Sequence, residues 1–265
     1  MPELPDLEVL KENILKKFRG ATVTNVTARR EQETLAGKIV GTKLVGITRR
    51  GKYLVFSFGN DIANISAELV LHLMLNGRLT TAPVGTAVVG TQLLSLTFDK
   101  REELRLNDRT FWSKVYLGGN GHLDKLGQEP DSPDFSLDYF AKKIRRSRGQ
   151  IKPLLMKQEF IAGLGNAYTD EALFRARIRP EQAANRLTAS QVESLFKAIK
   201  DVIPWGIREI KKTVGAEVKE DEDRLFMNVY RREHQPCPVC NAKIVATRVG
   251  GRDTFYCPQC QKLVA

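Results

Sequence analysis

Apolar residues recur three and four apart at Leu7, Leu10, Ile14 and Phe18, which predicts one amphipathic helix closed by Gly20. The period then shortens. Segments 21–28, 43–49, 53–58, 69–73, 93–98 and 114–117 are β-branched or alternate apolar with polar positions, and Gly, Asn and Asp punctuate the gaps. Short strands in succession, with no helix between them, predict an antiparallel sandwich or barrel. Near residue 120 the pattern changes again. GGNGH and PDSPD form a turn-rich linker, and helical periodicity then holds over 137–210.

Within 142–152, six of eleven residues are Lys or Arg and none is acidic. Such a run is commonly a solvated helix face; beside a domain junction it also suits a polyanion-facing surface. The glycine-rich turn 161–168, IAGLGNAY, separates two helical stretches, one ending near Gln158 and one running to Arg175. Gly163 and Gly165 permit backbone conformations closed to other residues, and Asn166 suits an N-cap. With Arg148 and Lys152 nearby in sequence, the helix start forms a candidate phosphate clamp. The acidic stretch KEDED at 219–223 reads as an exposed loop.

All four cysteines lie in the last 29 residues as two CxxC pairs, Cys237/Cys240 and Cys257/Cys260, with sixteen residues between the pairs. That spacing predicts a four-thiolate zinc ribbon with a structural, closed coordination shell. A redox pair is the competing reading, although one CxxC would serve for that. Segments 243–249 and 254–257 read as two strands joined by a tight Gly250-Gly251 turn, which puts Arg252 at the tip of a metal-clamped hairpin, placed to hold a phosphate.

The chain has 265 residues, 42 Lys plus Arg against 31 Asp plus Glu, a net charge of +11 and a pI near 9.5. The surplus points to a polyanion such as nucleic acid or an anionic membrane surface, and says nothing about fold. No apolar run approaches the roughly 18–20 residues that span a bilayer. MPELPDLE, acidic and proline-rich, cannot act as a signal peptide, so a cytosolic location is expected. Removal of the initiator Met, normal before a small second residue, would leave Pro2 with a secondary α-amine. Such an amine titrates below a lysine and can attack a sugar aldehyde carbon, with Glu3 beside it to move protons.

PELPDLE at the start, RRGKY at 49–53, HLMLNGRL at 72–79, NDRTF at 107–111, IKPLLMKQEFIAGLGNAYTDEALF at 151–174 and RDTFYCPQCQK at 252–262 occur in order. Together they resemble the formamidopyrimidine-DNA glycosylase and endonuclease VIII family of base-excision repair enzymes, over the whole chain. The resemblance implies an α+β protein: an N-terminal helix plus an eight-stranded antiparallel β-sandwich at 1–125, a helical helix–two-turns–helix domain at 135–225, and the zinc ribbon at 229–265. It implies a bifunctional DNA glycosylase and abasic-site lyase in which Pro2 is the nucleophile, Glu3 the acid/base partner, and Lys52 a phosphate contact and proton donor. Arg252 would assist a second elimination. Leu75, Arg109 and Phe111 fall at the void-filling positions, and His72, Arg148, Lys152, Asn166 and Arg252 at phosphate contacts.

The implied partner is damaged double-stranded DNA and the implied cofactor one structural Zn2+. The same resemblance implies a monomer without an organic cofactor. Four departures stand out. Leu75 stands where Met is usual, one residue after Met74, which leaves Met74 and Leu75 as two candidate wedges; Gln92 stands near a usual His, Asp6 replaces a Glu, and 211–228 lacks a GGTT-like lesion-capping turn. The last makes 8-oxoguanine a doubtful substrate and leaves ring-opened purines, oxidised pyrimidines and abasic sites. Two rival readings are a non-catalytic sensor of distorted DNA on the same scaffold and an RNA-associated zinc-ribbon protein.

Overall fold

The computed structural model describes residues 1–29, 31–118, 121–219 and 224–263. The chain divides into two compact units, 1–122 with 210–222, and 123–209 with 223–265.

In the first unit α1 (Leu4–Phe18) begins with a reciprocal cap. The Glu3 side chain accepts from the Asp6 backbone, and the Glu3 N–H donates to Asp6 Oδ2 at 2.7 Å. Asp6 therefore does the work that a capping box asks of its third helical residue. Leu7, Leu10, Ile14 and Phe18, all on one face, are buried in the core.

Eight strands follow: β1 (Val23–Ala28), β2 (Lys43–Arg50), β3 (Tyr53–Gly59), β4 (Ile65–His72), β5 (Arg78–Pro83), β6 (Gln92–Phe98), β7 (Glu102–Asn107) and β8 (Lys114–Leu117). They form two four-stranded antiparallel sheets, ordered β1-β6-β7-β5 and β2-β3-β4-β8. Alternate residues from both sheets, among them Leu54, Phe56, Leu69, Leu96 and Leu106, close a single apolar core with α1.

A short helix, α2 (Gln32–Ile39), lies between β1 and β2, where the sequence pattern suggested none. It inserts only Leu35 and Ile39 into the core, too few positions to establish a helical period. After the long helix α6 (Ala189–Val214), Asn13 of α1 donates to the carbonyls of Gly215 and Glu217 at 3.0 and 2.8 Å, and Val218 enters the sandwich core. The acidic stretch at 219–223 lies outside the described residues except for Lys219.

In the second unit, α3 (Leu137–Arg146) is capped by Ser136 and buries Phe140 and Ile144. The five-residue α4 (Ile151–Leu155) ends earlier than its sequence pattern suggested, and α5 (Asn166–Arg175) follows the glycine-rich turn. The ribbon hairpin pairs β9 (Val245–Val249) with β10 (Arg252–Tyr256) through Gly250-Gly251, both at positive φ (57° and 75°), as a two-residue turn of mirror-image type requires. Gly250 is fixed by packing as well, because a Cβ there would lie 2.6 Å from Pro153 Cγ.

Candidate nucleic-acid-processing site

In the first unit Pro2 is buried, and Glu3 and Lys52 are 3% and 5% exposed. Lys52 follows Gly51, whose φ of 57° makes the tight β2–β3 turn. That turn is held from both sides. Arg49 of β2 donates through Nε to Glu8 of α1 at 2.6 Å and through Nη1 to the Gly51 carbonyl at 3.2 Å. Burial works against the Glu8 carboxylate, but Lys11 and Arg49 outweigh it and hold the group below its ordinary value. Glu8 and Arg49, not singled out in the sequence, therefore set the position of Lys52. A lone acidic residue inside a helix gives no sequence signal for that role.

His72 faces Tyr53 across the β3–β4 ladder, ring centroids 4.5 Å apart. Burial, and then the nearby Lys52 charge, push its pKa down to about 4. It is a neutral imidazole at physiological pH. Its Nδ1 accepts from the Met74 N–H at 3.1 Å, which leaves the proton on Nε2 for an acceptor such as a phosphate oxygen.

Two loops carry the expected void-filling residues, and one carboxylate organises them. Asp108 accepts from Thr110 N and Oγ1 at 2.8 and 2.7 Å and from Ser113 N and Oγ at 2.8 and 2.7 Å. Its burial alone would raise the pKa; these bonds prevail and hold it at about 2. Ser113 Oγ also reaches the Leu73 carbonyl at 3.0 Å, and Asn76 donates to Thr110 Oγ1 at 3.3 Å, so the 73–77 loop is tied to the 108–113 loop. Gly77 is obligatory at this junction, because a Cβ would meet Ser113 Oγ at 2.2 Å.

Leu75 is 41% exposed and Arg109 exposed, whereas Met74 is half-buried, so Leu75 is the more available of the two candidate wedges. Phe111 is 45% exposed, and its ring lies 3.7 Å from the Arg29 guanidinium at the edge of a cavity of about 520 Å3 shared with Leu35, Leu93 and Val115.

In the second unit, Arg148 and Arg252 are exposed as expected. Asn166 is the first residue of α5, the cap position being Gly165, and its amide donates to the Asp253 carbonyl at 2.9 Å. The Gln158 side chain closes the glycine turn by donating to the Leu164 carbonyl and accepting from Gly163 N–H.

Lys152 corrects the sequence reading. Its side chain is wholly buried, and its ammonium meets Asp170 Oδ1 at 2.6 Å, Thr254 Oγ1 at 2.8 Å and the Asp253 carbonyl at 3.1 Å. With no exposed surface it cannot meet a phosphate; it fastens α4 to the hairpin that bears Arg252. Burial pushes the Asp170 carboxyl up to about 7 against the pull of Lys152. The adjacent Glu171, also buried, accepts from the N–H groups of Asn228, Val229 and Tyr230 at 2.8–3.1 Å.

The four cysteine Sγ atoms lie within 4.8 Å of one another, with Cys237–Cys260 at 3.9 Å and Cys240–Cys257 at 3.4 Å. A tetrahedron of Zn–S bonds of about 2.3 Å has edges of roughly 3.8 Å, so the thiolates fit one zinc ion. No helix among the described residues is long and apolar enough to cross a membrane.

Family models match in order along the chain: the formamidopyrimidine-DNA glycosylase N-terminal domain over residues 1–113, its H2TH domain over 126–217, and the zinc finger found in FPG and IleRS over 235–263. The chain is 33% identical to the formamidopyrimidine-DNA glycosylase of Pelotomaculum thermopropionicum, covering 99% of this chain and 100% of the relative. It is 35% identical to that of Geobacter sulfurreducens, with the same coverage. Among solved structures, Lactococcus lactis Fpg bound to abasic-site DNA superposes with a TM-score of 0.87 at 28% identity, covering 98% of this chain and 99% of that one. The same protein bound to DNA containing an oxidised pyrimidine gives 0.88 at 30%, covering 98% and 100%. Fold, site and zinc knuckle together define a DNA glycosylase of the base-excision type. The chain belongs to the formamidopyrimidine-DNA glycosylase family.

Proposed function

We propose that the protein is a bifunctional DNA glycosylase and abasic-site lyase acting through its N-terminal imino acid. The observation that carries this reading is the building of Pro2-Glu3 into the folded start of α1, with Glu3 and Lys52 both buried in the same unit. Charged side chains are seldom enclosed near a chain terminus without a task.

The Pro2 amine, freed of Met1, bonds to C1′ of the damaged nucleotide as the base departs with a proton. The ring C1′–O4′ bond then opens to give an iminium, with Glu3 delivering the proton to O4′. The iminium draws electrons from C2′. Loss of a C2′ proton breaks the C3′–O bond and releases the 3′ phosphate, and a second elimination at C5′, assisted by Arg252, releases the other. Water finally hydrolyses the iminium and frees Pro2.

His72, Arg148, Asn166 and Arg252 hold phosphates, Lys52 adds a phosphate contact and a proton, and Arg109 faces the orphaned base. Leu75 and Phe111 fill the gap left by the flipped nucleotide. One zinc on Cys237, Cys240, Cys257 and Cys260 stabilises the hairpin and takes no part in the chemistry. Relatives solved with abasic, oxidised-pyrimidine and Fapy-dG DNA support those lesions as substrates.

Borohydride trapping on an abasic-site duplex tests the reading. A covalent adduct on Pro2, lost in Pro2→Gly, is the expected result. Binding without any adduct would overturn it in favour of a non-catalytic damage sensor, and preference for RNA over damaged duplex would favour an RNA-associated protein.

A further inference from the structure

β1 and β8 are edge strands of the two sheets, and residues of both, with Leu35 of α2, line the cavity of about 520 Å3. The register of β8 on β4 decides which of its backbone groups are already committed. Gly118 N–H donates to the Glu68 carbonyl at 2.7 Å, and the strands continue as Leu117↔Leu69, Tyr116↔Val70, Val115↔Leu71 and Lys114↔His72. Bonded and unbonded pairs alternate along an antiparallel ladder, so Tyr116 and Lys114 exchange bonds with β4. Val115 and Leu117 therefore aim their N–H and C=O groups away from it. No hydrogen bond among the described residues takes up those groups.

A free edge is ordinarily covered or blunted. Here the neighbouring helix leaves space beside it. A second hollow, of about 300 Å3, shares Leu117 with the first and runs on to Lys38, Ile65 and Glu68. With α2 contributing to both, through Leu35 and Lys38, the two hollows form one groove alongside β8. Leu35, Leu93 and Leu117 make it apolar, and Ile65 is half-exposed at one end. Arg29, Lys38 and Lys114 outnumber Glu31 and Glu68 along it, in a chain of net charge +11, which favours an acidic occupant. A phosphate backbone is acidic too, but it has no donor for the Val115 and Leu117 carbonyls. An extended peptide offers donors and acceptors in alternation, at the spacing of a strand.

We propose that the groove between β8 and α2 receives an extended acidic segment of a partner protein. That segment pairs with Val115 and Leu117 as a fifth strand of the sheet and seats an apolar side chain in the cavity beside Leu35 and Leu93. The proposal goes beyond the glycosylase reading and does not depend on the chemistry at Pro2.

The probe is a set of fluorescein-labelled octapeptides, Asp-Glu-Asp-Phe-Thr-Phe-Asp-Glu and its forms with Leu or Val in place of each Phe, titrated into the full chain. Saturable binding by at least one member is expected. In its presence amide exchange at Val115 and Leu117, read by NMR, should slow roughly tenfold or more while Tyr116 is unchanged. Methylating alternate peptide nitrogens should weaken binding roughly tenfold through the lost pairing. Val115→Pro removes an outward donor and spares the bonds to β4, as an edge position allows, and should weaken binding similarly. Ala28→Leu fills part of the cavity and should do the same should the proline variant melt early. Both variants should cleave abasic-site DNA at the wild-type rate. No binding by any member, binding without protection at Val115 and Leu117, or indifference to methylation overturns the proposal. Protection of those amides by a single-stranded oligonucleotide and not by peptide overturns it in favour of a nucleic-acid contact.

Discussion

The sandwich and the ribbon solve the same problem with different means. In the first unit a broad apolar core, from Leu7 of α1 to Leu106 of β7, supplies the stabilisation, and buried charges such as Glu3, Lys52 and Asp108 are additions to it. The ribbon has only a small cluster of Phe174, Val229, Cys237, Ile244 and Cys257. Buried charge and thiolates take the place of hydrocarbon there: Lys152, Asp170 and Glu171 join α4 and α5 to the hairpin and the segment before it. Lys152 turns inward there, as Lys52 and Arg105 do in the sandwich unit. A run of positive charge in sequence therefore overstates the positive surface.

Four experiments sharpen that contrast. The largest effect should follow Cys257→Ser, because structural zinc sites in small domains carry apparent binding energies on the order of 10 kcal/mol. Zinc content by atomic absorption should fall, hydrogen exchange across β9 and β10 should accelerate, and DNA binding should weaken, with the sandwich still folded. Retained affinity in the zinc-free protein would contradict the proposed division of labour.

Lys152→Met should cost about 3–5 kcal/mol in denaturant unfolding, since it strands the Asp170 carboxyl in the interior. The double variant Lys152→Met/Asp170→Leu should cost no more than the single one. A phosphate-contacting lysine would instead show normal stability and weak DNA binding.

His72 gives the sandwich a pH signature. Its pKa falls from 6.5 to about 4 on folding, so the unfolded chain binds the proton more tightly in that interval. Stability from this group is complete above pH 6.5 and drains as pH falls toward 4, by up to about 3 kcal/mol. His72→Gln should flatten that slope in thermal melts, and an unchanged slope would remove the assigned neutral state. Asp108→Ala should be the mildest, about 2 kcal/mol, because it frees four donors on a loop near water. Loss of lesion binding well beyond loss of stability would show that the carboxylate orders the loop for DNA.

The sequence made α1, six of the eight sandwich strands, the metal knuckle and its hairpin legible, because each rests on a local period or spacing. It hid β5 and β7. The first is an edge strand ending in Pro83, and the second alternates over few residues, with Arg105 between Leu104 and Leu106. It placed Arg148, Arg252 and Leu75 on the surface correctly. For Lys152 residue type told less than direction, because an inward lysine carries the same letter as an outward one. Partners such as Glu8, Asp108 and Gln158 act through single carboxylates or amides aimed at backbone, a role visible only once the loops are closed.

Asn13 is bonded to carbonyls more than two hundred residues downstream, and Val218 completes a core otherwise built from residues 7–106. Translation runs from the N-terminus at roughly 5–20 residues per second. The sandwich that emerges first must therefore wait, unsealed along one helix, until the ribosome has made nearly the whole polypeptide. A fragment ending at residue 122 would carry that open seam permanently, and the nascent chain carries it for the many seconds before residue 218 appears.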